Sequence, residues 1–168
     1  ADKVVARALK KDKRWGSSDR KFVAETIYEI VRWKRLYMEI AEVKEPLDRD
    51  QLWRIFAVWA ILRGYTIPDW RQLEGTPARK IKGRFDELSK IRKYRESIPD
   101  WMDELGIKEL GEELWTKEIA AQNQQAKVIL RVNTLKTTKE KLHAILMDLN
   151  IETELLKNQP DALVLKER

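Results

Sequence analysis

The sequence predicts a mainly α protein, with a helical domain over residues 1–96 and a partial α+β domain over residues 97–168. Three observations carry this reading. Apolar residues in the first part recur at spacings of three and four, the period of a helix. After residue 97, short β-branched runs break that period. The charge reverses at the same place, since residues 79–95 are net +6 and residues 97–168 are net −3. A basic front and an acidic back are expected if only the front meets a polyanion.

In the first part, Ser17 or Ser18 can cap a helix in which Phe22, Val23, Ile27, Ile30 and Val31 form one stripe, continuing to about Ile40. Pro46 ends the connection that follows. Asp48 with Gln51 three residues later is a capping-box start for a helix carrying Leu52, Ile55, Phe56, Trp59 and Leu62, stopped at Gly64. That segment reads as core, together with Trp53. A turn-rich stretch runs through Pro68, Gly75 and Pro77. Ile81, Phe85, Leu88 and Ile91 then give a third stripe, weakened in its middle by Gly83.

The boundary falls near Glu96, because Ile98-Pro99-Asp100 places proline in a first helical turn. Short helices are expected over 99–105 and 112–124. Val128 to Asn133 reads as a strand, Thr137 and Glu140 as the capping box of a helix with Leu142, Ile145, Leu146 and Leu149, and Ile151–Leu156 and Ala162–Leu165 as two more strands. Strand, helix, strand, strand is half to two thirds of a ferredoxin-like sheet.

Several function classes are excluded by residue type. With 43% hydrophobic and 37% charged residues in 168, the chain affords a core and a solvated surface. Its longest apolar run, Ile55–Leu62, is far short of a membrane span, and residues 1–11 lack a signal-peptide apolar block, so a soluble cytoplasmic protein is expected. Zero cysteines rule out disulfides, thiolate metal sites and cysteine nucleophiles. Gly106 and Gly111 have phosphate-loop spacing, but Glu112-Glu113 stand where lysine and a hydroxyl residue must bind phosphate and metal, and no Gly-x-Gly-x-x-Gly exists. His143, the one histidine, has no second ligand type beside it and reads as structural or solvent-facing. Asp103/Glu104 and Glu112/Glu113 read as polar helix faces. No catalytic, cofactor-binding or metal residue is expected in this chain.

The basic cluster at 79–95 is the functional signal. Arg79, Lys80, Lys82, Arg84, Lys90, Arg92, Lys93 and Arg95 face only Asp86 and Glu87 within the segment, which predicts few internal ion-pair partners. Cations along one segment can neutralise successive phosphates and release condensed counterions. The expected backbone contacts are Arg79, Lys80, Lys82, Arg84, Arg92, Lys93 and Arg95, with Arg20, Arg32 and Arg131 as lesser candidates; a solvated helix face is the plain alternative. A second concentration, Lys10, Lys11, Lys13, Arg14, Arg20 and Lys21, lies near Trp15, where a ring could stack on an unpaired base. Asp19 and Arg20 read equally well as a helix-start ion pair.

Three stretches together resemble one family. Residues 16–33, Gly-Ser-Ser-Asp-Arg-Lys-Phe-Val-Ala-Glu-Thr-Ile-Tyr-Glu-Ile-Val-Arg-Trp, resemble the signature helix of the NusB-like domain that opens many Sun-family RNA cytosine-5 methyltransferases. Ile98-Pro99-Asp100-Trp101-Met102 is similar to the start of the family's next domain, and Leu130-Arg131-Val132-Asn133 to one of its strands. The resemblance covers the chain in order, and is poorest between Gly64 and Glu96.

The resemblance implies the RNA-binding front of an S-adenosylmethionine-dependent enzyme that makes 5-methylcytosine in ribosomal or transfer RNA, through a cysteine thiolate that attacks carbon 6 of cytosine. The family's glycine-rich cofactor loop and its Asp-Pro-Pro-Cys and Thr-Cys motifs have no counterpart in these 168 residues. The chain alone is therefore expected to be no enzyme and to bind no cofactor, ending partway through its second domain, with S-adenosylmethionine and the catalytic domain belonging to the parent protein in cis. RNA, ribosomal RNA foremost, is the expected partner, and no membrane. Alternatives are a freestanding NusB-like RNA-binding module and a protein-interaction scaffold whose cations only keep it soluble.

Overall fold

A computed structural model describes residues 2–11 and 13–166. Ala1 and Arg168, the outer bounds of the two expected domains, lie outside the described residues. The contacts divide the chain into two compact units, residues 1–122 and 123–168.

The first unit is helical. Its elements are α1 (Asp2–Lys11), α2 (Ser17–Arg32), α3 (Lys34–Ala41), α4 (Arg49–Leu62), a 3-10 turn (Arg71–Leu73), α5 (Ala78–Leu88), α6 (Arg92–Arg95), α7 (Asp100–Leu110) and α8 (Glu112–Gln122). Its core forms where α3, α4 and α5 meet, around Leu36, Tyr37, Ile40, Ile55, Val58, Trp59 and Ile81. α4 starts as its sequence demands. The Asp48 carboxylate accepts from the Gln51 backbone N–H at 2.8 Å, and the Gln51 side chain accepts from the Asp48 N–H at 3.0 Å.

The expected single helix to Ile40 is instead two, broken at Trp33 (φ −101°, ψ 21°). The next step of the α2 stripe falls on Lys34 and Arg35, which an unbroken helix would carry inward. The break lets Lys34 reach Glu45 and turns Leu36, Tyr37 and Ile40 into the core. Val31 is left 54% exposed. The cap of α2 also differs. Gly16, not Ser17 or Ser18, is the extended residue before the helix, and Asp19 accepts from its N–H at 2.9 Å instead of pairing with Arg20. On α4, Leu52 is exposed and Trp53 half-buried, because the core begins one turn later, at Ile55.

α7 and α8 pack through Ile98, Trp115 and Ile119, with Met102 against them. α7 runs to Leu110, past the expected end at Leu105, because Gly106 lets the Trp115 indole lie directly on it. By contact this pair belongs with the helical unit, whose edge is Gln122, whereas the charge reverses near Glu96. Arg35 explains the attachment, since it donates to the Ile98 carbonyl and, at 2.7 Å, to Asp100.

The second unit contains β1 (Val128–Arg131), α9 (Lys139–Asp148), β2 (Thr153–Leu155) and β3 (Ala162–Leu165). β3 lies between β1 and β2 and is antiparallel to both, with Leu130 opposite Leu163 and Leu155 opposite Leu163 across it. β1 and β2 therefore run the same way, linked through α9 with a strand between them, which is the split βαβ arrangement of a ferredoxin-like sheet. α9 is capped by Thr138, which accepts from Lys141 N–H at 3.3 Å, and not by Thr137. The Thr137 N–H is already committed to the Asn133 carbonyl at 3.1 Å. His143 Nδ1 lies 2.7 Å from the Thr153 hydroxyl, fastening α9 to β2. No described helix is long and apolar enough to cross a membrane.

Candidate nucleic-acid interface

α5 sorts its cations by face. Lys80 and Arg84, four residues apart, point to the C-terminus of α3. Lys80 pairs with Glu42, while Arg84 lies 3.3 Å from Glu42 and donates to the Glu39 carbonyl at 2.7 Å. They meet the negative end of the α3 dipole as well as a carboxylate. Donation by Lys80, then its charge, holds the Glu42 carboxyl below its ordinary value. Arg79 and Lys82 lie on the opposite side of α5, exposed, with no partner among the described residues.

Lys90 is exposed like Arg79 and Lys82, whereas Arg92, Lys93 and Arg95 are drawn inward. Arg92 Nε donates to Asp103 at 2.8 Å and Nη1 to Thr116 at 2.9 Å, with its side chain only 13% exposed. Burial lifts the Asp103 carboxyl, but donation from Arg92 and Trp115 outweighs it and holds the group below its ordinary value. Lys93 pairs with Asp100 at 2.9 Å, and Arg95 with Glu96 at 2.8 Å. Few partners come from within the segment, as expected, since neither Asp86 nor Glu87 takes a cation among the described residues; what the segment alone does not reveal is that Glu42, Asp100 and Asp103 reach it from other elements.

Of the lesser candidates, Arg20 is exposed on the first turn of α2. Arg32 covers the Trp33 ring at 5.0 Å and reaches the Glu96 carbonyl at 3.4 Å. Arg131, in the second unit, is 89% exposed and 3.7 Å from Asp161. Lys10 and Lys11 close α1, and Trp15 is half-buried beside them in sequence.

Two features of the helical unit are invisible in residue order. Arg49, Arg54 and Arg71 converge on a polar cleft of about 380 Å³ that also holds Asp50 and Glu74. Beside it, Trp53 meets the half-exposed Trp70 edge-on at 6.0 Å. Arg71 and the other two stand apart along the chain, so no local charge count finds them.

The second feature is a cavity of about 300 Å³ walled by the Trp33, Tyr37 and Phe85 rings, with Leu36 and Leu62, and bordered by Arg63 and Arg95. Glu29 closes one end. It accepts from Trp59 Nε1 at 3.0 Å, Tyr37 hydroxyl at 3.2 Å and Arg63 Nε at 2.7 Å. Burial raises this carboxyl, while the donors, Arg63 first, lower it further and hold it ionised. Burial, with the Glu29 charge next, pushes the Tyr37 hydroxyl up.

Residues 98–168 match the family model described as the ferredoxin-like domain of RsmF/B-like methyltransferases. The match relates the chain to that methyltransferase family through this segment. No curated protein matches the chain.

Proposed function

We propose that this chain is the RNA-holding front of an S-adenosylmethionine-dependent RNA cytosine-5 methyltransferase, acting on ribosomal RNA. The observation that carries the reading is the family match over residues 98–168, preceded by a basic helical segment. The helical unit is NusB-like and holds phosphates, while the α+β segment orients a catalytic domain on the bound RNA. Phosphate contacts of this kind position an enzyme without reading sequence.

Within the cluster, Arg79 and Lys82 make the primary backbone contacts, because among the described residues no acid pairs with them. Lys80, Arg84, Arg92, Lys93 and Arg95 add to the field but are tethered. Arg20, Arg32 and Arg131 are secondary. The residues present do not fit the methyl-transfer chemistry, since a sequence without cysteine offers no thiolate nucleophile for cytosine. No step of the reaction is assigned to them.

Filter binding of the whole chain to ribosomal RNA across a salt series tests the proposal. Affinity is expected to fall steeply with salt, and the double substitution Arg79→Gln, Lys82→Gln to flatten the slope by up to ~0.9 per lost phosphate contact on duplex RNA. A flat salt response in the unaltered chain, or an unchanged slope in the double variant, overturns it.

A further inference from the structure

We infer that the cavity beside α5 is a seat for one unpaired nucleobase of the bound RNA, an inference that rests on the RNA-binding reading above. Three aromatic rings from different elements, Trp33 between α2 and α3, Tyr37 on α3 and Phe85 on α5, wall one space of about 300 Å³. That is the lower end of the roughly 300–1,000 Å³ of small-ligand pockets, room for a single ring system and not for a folded peptide segment. Phe85 is 36% exposed, so its ring is reachable from solvent.

Charge selects the occupant. Glu29 is the only acid among the described residues of the cavity wall, and its carboxylate is already engaged by donors from Arg63, Trp59 and Tyr37. Arg63 and Arg95 border the cavity but are paired with Glu29 and Glu96, so the cation left to a phosphate there is Lys82, which shares one face of α5 with Phe85 through a spacing of three. A ring that carries a phosphate fits this surround better than a neutral or acidic aromatic side chain with no phosphate to place on Lys82. Glu29 is engaged by three donors and the Ser89 hydroxyl donates to the Phe85 carbonyl at 2.6 Å, so the rings are the main surface the cavity offers a base. Recognition is by stacking, which every base offers, so the seat accepts purines and pyrimidines alike. Single-stranded RNA is then held at two levels, with phosphates on Arg79 and Lys82 and one splayed base among the rings.

The experiment titrates the whole chain against a single-stranded RNA of about ten nucleotides carrying one 2-aminopurine, and against a blunt RNA duplex. Phe85→Leu keeps apolar packing and removes the ring face. Ser89→Leu leaves all three rings and fills the mouth. Both are expected to weaken single-strand binding by roughly 10- to 100-fold and abolish 2-aminopurine quenching, with duplex affinity and the salt slope unchanged. Circular dichroism confirms the fold of each. If both variants bind the single strand as the unaltered chain does, the base seat is wrong, and a salt slope still lost in Arg79→Gln, Lys82→Gln leaves the RNA-backbone reading standing. If the unaltered chain binds neither nucleic acid in a salt-dependent way, both readings fall. Binding of a tryptophan-containing acidic peptide to the cavity in place of the oligonucleotide also overturns the proposal, in favour of a protein partner.

Discussion

Arg92 turns its guanidinium inward onto Asp103, with Nε 2.8 Å from one carboxylate oxygen and Nη2 3.4 Å from the other. The two side chains are 13% and 14% exposed. Removing one partner of a pair this buried strands the other charge, which costs about 3–5 kcal/mol. Arg92→Gln is therefore expected to lower the unfolding free energy of the chain by that order while leaving the salt slope of RNA binding intact. Arg79→Gln should do the reverse. Urea unfolding read beside filter binding checks the pair of outcomes, and an Arg92→Gln chain of normal stability with a flattened slope would show that this cation faces RNA after all.

Glu29 and Asp103 both sit below their ordinary carboxyl values, because donated hydrogen bonds outweigh burial. A carboxyl depressed in the folded chain holds its proton less tightly there than in the unfolded chain. The stability it adds is present above the ordinary carboxylate range of about 4 and is lost as pH falls through the lower folded value. Acid unfolding is thus expected to set in below about pH 4. Glu29→Gln and Asp103→Asn should each reduce stability at neutral pH and flatten its fall on acidification. Urea midpoints measured down the pH scale decide it, and variant curves running parallel to the parent curve would contradict the assignment.

The Trp115 indole lies so close to Gly106 that a β-carbon there would stand 2.2 Å from its Cδ2 and Cε2. Gly106 sits inside α7, where alanine is otherwise the better helix former by about 1 kcal/mol. Here the helix pair must separate to admit the methyl group, and overpacking of this kind costs about 1–3 kcal/mol. Gly106→Ala is expected to lower the thermal midpoint, and Gly106→Ala with Trp115→Leu to recover part of the loss. A midpoint raised by the single substitution would mean that α7 and α8 are not packed this way.

How much of this was legible in residue order follows the range of each interaction. The Asp48–Gln51 cap and the run Ile55–Leu62 are local, and they read directly. So does the strand, helix, strand, strand order of the second unit, because alternation between period two and period 3.6 is a short-range signal. The break at Trp33 is not readable from the stripe above it, since what matters is where Lys34 and Arg35 would point. The basic cluster was found, but its state was not. Whether Lys80 and Arg92 are available depends on Glu42, 38 residues before Lys80, and on Asp103, 11 residues after Arg92. The aromatic cavity draws Trp33, Tyr37 and Phe85 from three places and leaves no motif.

Glu42 is the residue that decides how many α5 cations reach solution. It occupies a left-handed conformation (φ 55°, ψ 45°) at the end of α3 and takes both Lys80 and Arg84. Asparagine tolerates that backbone better than most residues, so Glu42→Asn removes the charge with little strain. Lys80 is then unpaired, and Arg84 keeps only the Glu39 carbonyl. Affinity for RNA at low salt is expected to rise, and the salt slope to steepen by up to ~0.9 for each released cation that reaches a phosphate of a duplex. Lys80→Gln should matter little in the parent chain and cancel much of the gain in the Glu42→Asn background, a non-additivity that a double-mutant cycle reads directly. Equal effects of Lys80→Gln in the two backgrounds would show that Glu42 does not hold Lys80 back from RNA.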